Sequence, residues 1–135
     1  MHECPKMEAT ITKLAEAHGF NLEAPRGFMQ LTTSQEGVRD LSIEKLGANQ
    51  VSVSQYYTVN GQLVPEPDIT FFIGPNGWIP TAIGQSVESW KYCATVDGKI
   101  LRISDPQLCA EIASMAEEWA EILEERYRSN ARRVR

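Results

Sequence analysis

From Phe28 to Ile103 the apolar residues tend to recur at every second position, and the gaps between runs are too short to hold a crossover. The stretch 50–59, QVSVSQYYTV, sets Val51, Val53, Tyr57 and Val59 on one side and Ser52, Ser54 and Thr58 on the other. Asn60-Gly61 follows at once, the pair that most readily adopts the two positive φ angles of a type I′ turn. Gly74-Pro75-Asn76-Gly77 and Asp97-Gly98 mark two further tight turns. Hairpin links of this length allow only antiparallel neighbours, so the middle of the chain is a meander.

The strands that this pattern predicts are 28–33, 38–46, 50–59, 68–73, 78–83, 89–96 and 99–103. The 68–73 run, DITFFI, is apolar on both faces at its centre, as a middle strand requires. Pro65 and Pro67 predict a bulge or an edge just before it, and Pro80 predicts an edge or irregular strand over 78–83. A helix is expected on each side of the meander. Met7, Ile11, Leu14 and His18 share one helical face, with Pro5 in the first turn and Gly19 as the terminating residue. Ser104 as cap, Pro106 and Gln107 begin a second helix running to about Arg128. Its stripe is Leu108, Ile112, Met115, Trp119 and Ile122, widened by Cys109, Ala113, Ala116, Ala120 and Leu123, opposite a face of six glutamates. The expectation is an α+β fold: an N-terminal helix, an antiparallel sheet of 5–7 strands and a long C-terminal helix, with both helices on one sheet face. Residues 1–128 form one domain and 129–135 a basic tail.

Cys4, Cys93 and Cys109 have no CxxC or Cys/His spacing, which predicts three reduced thiols and neither a disulfide framework nor a metal site. No apolar window is long enough for a membrane span and no leader pattern is read at the start, so a cytoplasmic protein is expected. Residues 1–125 carry eight Lys/Arg against 18 Asp/Glu, a body charge of −10, while 126–135 carry five arginines and no acid. Such a body disfavours nucleic acid, leaving only the arginine-rich tail as a weak point of contact. The glutamate face of the second helix reads as the wet side of an amphipathic helix; capture of a basic protein is the functional alternative.

The segment around Asn60-Gly61 also resembles an uncharacterised family of small bacterial and archaeal proteins, often carried on phage or other mobile DNA. The matching residues are Val51, Ser52, Val53, Tyr56, Asn60, Gly61, Leu63, Pro67, Asp68 and Phe71, and the likeness covers about 28–85. It implies a domain of unknown function and supplies no reaction. Three positions depart from the pattern: Gln55 stands for its His, Gln62 for an Asp after Asn-Gly, and Glu66 for the first Asp of its Asp-Pro. Glutamine exchanges no proton near neutral pH, so the segment is expected to be structural or ligand-contacting and not catalytic.

No phosphate-loop, dinucleotide, zinc-protease or nucleophile-elbow motif is present. The only histidines are His2, near the terminus, and His18, placed to meet the last carbonyls of the first helix. Glu66 and Asp68 alone suggest a carboxylate pair, and acids beside a proline turn are more often solvated. Tyr56, Tyr57, Asn60, Glu66, Asp68, Trp78 and Trp90 are the candidate contact residues, with no catalytic group, metal or cofactor expected. The sequence thus reads as a non-catalytic interaction module, a homodimer or a receiver of another protein. The alternative is a small-molecule domain with an aromatic cleft on the sheet.

Overall fold

The computed structural model describes residues 2–33, 39–86, 89–127 and 131–134. Helix α1 (Pro5–Ala17) is followed by β1 (Gly27–Thr33), β2 (Leu41–Gly47), β3 (Gln50–Val59), β4 (Gln62–Gly74) and β5 (Gly77–Gly84). Then come β6 (Trp90–Tyr92), β7 (Ala94–Asp97), β8 (Ile100–Ile103), helix α2 (Pro106–Tyr127) and β9 (Ala131–Val134). One antiparallel sheet has the order β6-β5-β4-β3-β2-β1-β9, and β7 pairs β8 separately. The expected α+β order of helix, meander and long helix is what the chain forms. Val38 and Arg128, at the edges of two expected elements, lie outside the described residues.

The cross-strand register divides the sheet into two faces. Met29, Leu31, Leu41, Ile43, Val51, Val53, Ile69, Phe71 and Ile83 alternate onto the face that carries the core. They pack with Met7, Ile11 and Leu14 of α1 and with Ile112, Ala116, Trp119 and Leu123 of α2. The buried stripe of α2 is Ile112 and Trp119 of the expected stripe, all five residues expected to widen it, and Tyr127, while Met115 and Ile122 are exposed at its rim. Trp119 is core, as expected.

Helix ends show how local chemistry sets the boundaries. Gly19 takes a φ of 70° after α1, and the amides of Gly19 and Phe20 turn back to the carbonyls of Glu16 (3.3 Å) and Ala15 (2.8 Å). This double closure is a Schellman motif, with Phe20 buried beneath it. At the other end, Pro5 has no N–H to satisfy, and the amides of Lys6 and Met7 donate to Glu117 of α2 at 3.2 and 2.9 Å. One glutamate of the acidic face therefore caps the other helix. Lys6–Glu121 (3.6 Å) and Lys13–Glu124 (3.3 Å) continue the contact, so three of the six glutamates serve helix pairing. The cap of α2 is Asp105 rather than Ser104: its carboxylate accepts from the Leu108 amide at 3.1 Å. Ser104 instead donates to the Cys93 carbonyl (3.2 Å).

Four further expectations are corrected or refined. The run 89–96 is two strands, because the chain leaves the sheet at Cys93, whose amide still reaches the Thr81 carbonyl (2.8 Å). Cys93 and Cys109 are joined as a disulfide, not two reduced thiols. Their Cα atoms come within 5.3 Å only once α2 folds back on the sheet, a tertiary approach that spacing along the chain does not reveal. Cys4 is free and wholly buried, and burial pushes its thiol up to about 12. Strand β5 is irregular at Pro80, as expected, but pairs on both sides and is no edge. Within the stretch expected as a basic tail, residues 131–134 lie antiparallel to β1.

Candidate functional site

The opposite face of the sheet is crossed by two rows of side chains, one per strand. Phe28, Glu44, Ser52, Thr70, Ala82 and Tyr92 make the first row. Gln30, Ser42, Ser54, Asp68, Gly84 and Trp90 make the second. Neither helix packs here. Phe28, Trp90 and Tyr92 are exposed (47%, 37% and 65%) at the two sides of this face, around a polar middle.

The middle is organised on Asp68. Its Oδ1 accepts from Ser52 Oγ at 2.9 Å and its Oδ2 from the Tyr56 hydroxyl. The reason lies in the backbone. Between Ser54/Asp68 and Tyr56/Pro65 the ladder slips by one residue, because two residues of β4, Glu66 and a cis-linked Pro67, stand opposite the single Gln55 of β3. The bulge expected from the prolines is thus present, although pairing resumes beyond it and β4 starts earlier than expected, at Gln62. Across this interruption the Asp68 carboxylate ties β3 to β4 through side chains where the backbone does not. Burial first, then the hydrogen bond to Asp68 and the negative charges of Asp68 and Glu44, push the Tyr56 phenol well above its ordinary value. Tyr56 therefore stays protonated and serves as a donor. With both carboxylate oxygens occupied and the phenol held as a donor, the contact pins β3 to β4.

Trp90 lies over Gly84, next to Asp68 in the row. A methyl group added at Gly84 would stand 2.5 Å from two carbons of the indole. The missing side chain is what lets the ring lie against the sheet.

The other candidate residues separate from this group. Trp78 is 3% exposed on the helix side, its ring 5.5 Å from Phe71, so it is not part of the alternative aromatic cleft with Tyr56, Tyr57 and Trp90. Glu66 is exposed and meets Arg39 at 3.6 Å, and that guanidinium sits 4.8 Å from the centre of the Tyr57 ring. Glu66 and Asp68 thus have different partners. Asn60 (φ 52°) and Gly61 (φ 79°) close the hairpin as expected. Beyond Gln55, β3 has no strand partner on its β2 side among the described residues, and Val59 and Leu63 are exposed near the end of the hairpin.

Gln55 is the position whose role sequence reasoning missed. It points into the helix-side core, 5% exposed. Its Oε1 accepts from Trp119 Nε1 (3.2 Å), and its Nε2 donates to the Tyr127 hydroxyl (3.0 Å) and the Arg39 carbonyl (3.1 Å). The period-two pattern already put residue 55 in line with Val51 and Val53, which was the available signal. Lys45 is a second buried polar group: its ammonium donates to the carbonyls of Leu22 (2.5 Å) and Ala24 (2.8 Å), and burial lowers its pKa. Among the described residues no buried side-chain nitrogen or oxygen lacks a partner, and no acid, His and Cys group is arranged to hold a metal. No described helix is long and apolar enough to cross a membrane.

No curated protein and no solved structure matches the chain. A family model does, over residues 9–126, from the second turn of α1 to the last turn of α2, and so across both helices as well as the sheet. The chain belongs to the uncharacterised family described as Domain of unknown function (DUF6908).

Proposed function

We propose that this protein is a non-catalytic binding module that works through the aromatic margins of the sheet face turned away from the helices, and that the first partner of that face is a second copy of the chain. The observation that carries the reading is the face itself. Exposed Phe28 on one side and Trp90 and Tyr92 on the other flank a polar centre that is itself buried and whose hydrogen bonds are already made. Aromatic side chains are enriched in contact surfaces, and a two-fold pairing of like faces is the commonest way to cover one. The engaged Asp68 and the un-ionised Tyr56 leave no nucleophile–base pair there, which supports binding over chemistry. The resemblance of the 28–85 segment adds that the module is a passenger of mobile DNA.

Sedimentation tests this directly. The wild type is expected to run as a dimer of the 15.1 kDa chain at micromolar concentration, and Trp90→Ser with Tyr92→Ser to run as a monomer with an unchanged circular dichroism spectrum. A wild-type monomer unaffected by concentration overturns the self-association.

A further inference from the structure

We propose that the groove beside α1 binds a small organic amine, an ammonium head on an apolar body. This site lies on the helix side of the sheet and is independent of the face assigned to self-association. The groove has a volume of about 360 Å³, within the usual range of small-ligand pockets. Its floor is apolar: Phe20 and Leu22 from the loop after α1, and Ile73 and Trp78 from the end of the β4–β5 hairpin. Its rim is acidic, with Glu8 and Glu16 from α1 and Glu23 from the loop.

Charge decides the class of occupant. No lysine or arginine lines the groove. The ammonium of Lys45 is close enough to influence Glu23, but it is turned behind the loop into the Leu22 and Ala24 carbonyls and does not line the cavity. An anion would meet three carboxylates, and a neutral apolar molecule would make no use of them. A bare metal ion would not use the apolar floor, and among the described residues the acids do not converge as ligands. An organic ammonium ion satisfies both the floor and the rim.

The test is an amide chemical-shift titration of the full chain with n-butylammonium and 1,5-diaminopentane, against butanol and butanoate as neutral and anionic controls. The amines are expected to give saturable shifts at Thr12, Phe20, Leu22 and Trp78, weakening as salt screens the rim. Glu16→Gln with Glu23→Gln, both exposed positions, should weaken the amines about three- to tenfold, as loss of two surface ion contacts does. Thr12→Trp, on the wall of the groove, should abolish binding, and thermal melts establish that each variant is folded. Trp90→Ser with Tyr92→Ser should leave the amine titration unchanged, so failure here is separable from failure of the self-association. The proposal is overturned if butanol shifts the same amides as strongly, if the double glutamine variant binds amines as the wild type does, or if no saturable shift occurs up to roughly 10 mM, the weak end of specific binding.

Discussion

Replacing Gln55 by leucine tests whether a buried amide holds α2 to the sheet. Leucine has a similar volume, so the site stays filled and the cost comes from the partners left behind. The Trp119 N–H, in a core residue 8% exposed, would lose its acceptor. A buried donor without a partner costs about 1–3 kcal/mol. The Tyr127 hydroxyl, 1% exposed, would lose one neutral hydrogen bond, about 0.5–1.5 kcal/mol net. The Arg39 carbonyl belongs to an exposed residue and can turn to water. The added apolar side chain returns roughly 1 kcal/mol of transfer free energy. The balance is a loss of about 2 kcal/mol, which moves a urea midpoint by about 1 M at a slope near 2 kcal/mol/M.

Equilibrium urea unfolding followed by circular dichroism measures this, and an unchanged midpoint would refute the account. A double-mutant cycle sharpens it. Trp119→Phe removes the indole N–H, so Gln55→Leu should cost less in that background, with a coupling of about 1 kcal/mol. Strict additivity would show that the Trp119 bond is not the cause.

Three other outcomes follow from particular contacts. Gly61→Val puts a β-branched residue at a φ of 79° with nothing crowding the site, so the loss of about 1–2 kcal/mol in thermal unfolding is backbone strain alone. Glu117→Ala strands the amides of Lys6 and Met7 and should cost about 1–2 kcal/mol, with Glu117→Gln milder because one acceptor oxygen remains; equal melting of all three proteins would count against this capping. On the alkaline side, Cys4 and Tyr127 are both held protonated, raised by burial from 9.0 and 10.0 to about 12 each. The unfolded chain releases these protons first, so the stability they contribute is complete below about pH 9 and is lost between pH 9 and 12; Cys4→Ala with Tyr127→Phe should flatten that decline, and an equally steep one would refute it.

What was legible in the sequence is what local chemistry decides. Alternation, Asn60-Gly61, Gly19 and the α2 stripe each gave the element found, because each depends on residues a few positions apart. Two-residue loops also forced the strand order. What failed to show depends on pairs brought together by the fold. The Cys93–Cys109 bond spans the sheet edge and α2, and the Glu117 cap spans two helices 110 residues apart in sequence. Trp78 and Trp90 look alike as residues but fall on opposite faces. The bulge at Pro80 and the hairpin links decide which face each takes, and a slip of one residue reverses it. The candidate site suffered most, since Asp68 was singled out beside Glu66 along the chain while its real partners, Ser52 and Tyr56, sit across the ladder.

The surroundings of Gln55 are also suited to a histidine. The buried part of the site asks for one acceptor, toward the Trp119 N–H, and one donor, toward the Tyr127 hydroxyl, since the Arg39 carbonyl can turn to water. A carboxamide supplies both, and so does a neutral imidazole, with one bare nitrogen and one N–H. Gln55→His should therefore fold at pH 8 with far less loss than Gln55→Leu. It should also acquire a dependence on acid that the wild-type residue cannot have. Protonation turns the bare nitrogen into a second donor, facing the Trp119 N–H inside the core, so the folded state resists it and the imidazole pKa falls below its ordinary value of about 6.5. The unfolded chain then takes the proton first, and stability drops as pH falls below about 6.5. Urea midpoints of the variant and wild type compared at pH 8 and pH 5 measure the difference. A gap between the two proteins that is the same at both pH values would mean that the ring does not occupy the amide's place between Trp119 and Tyr127.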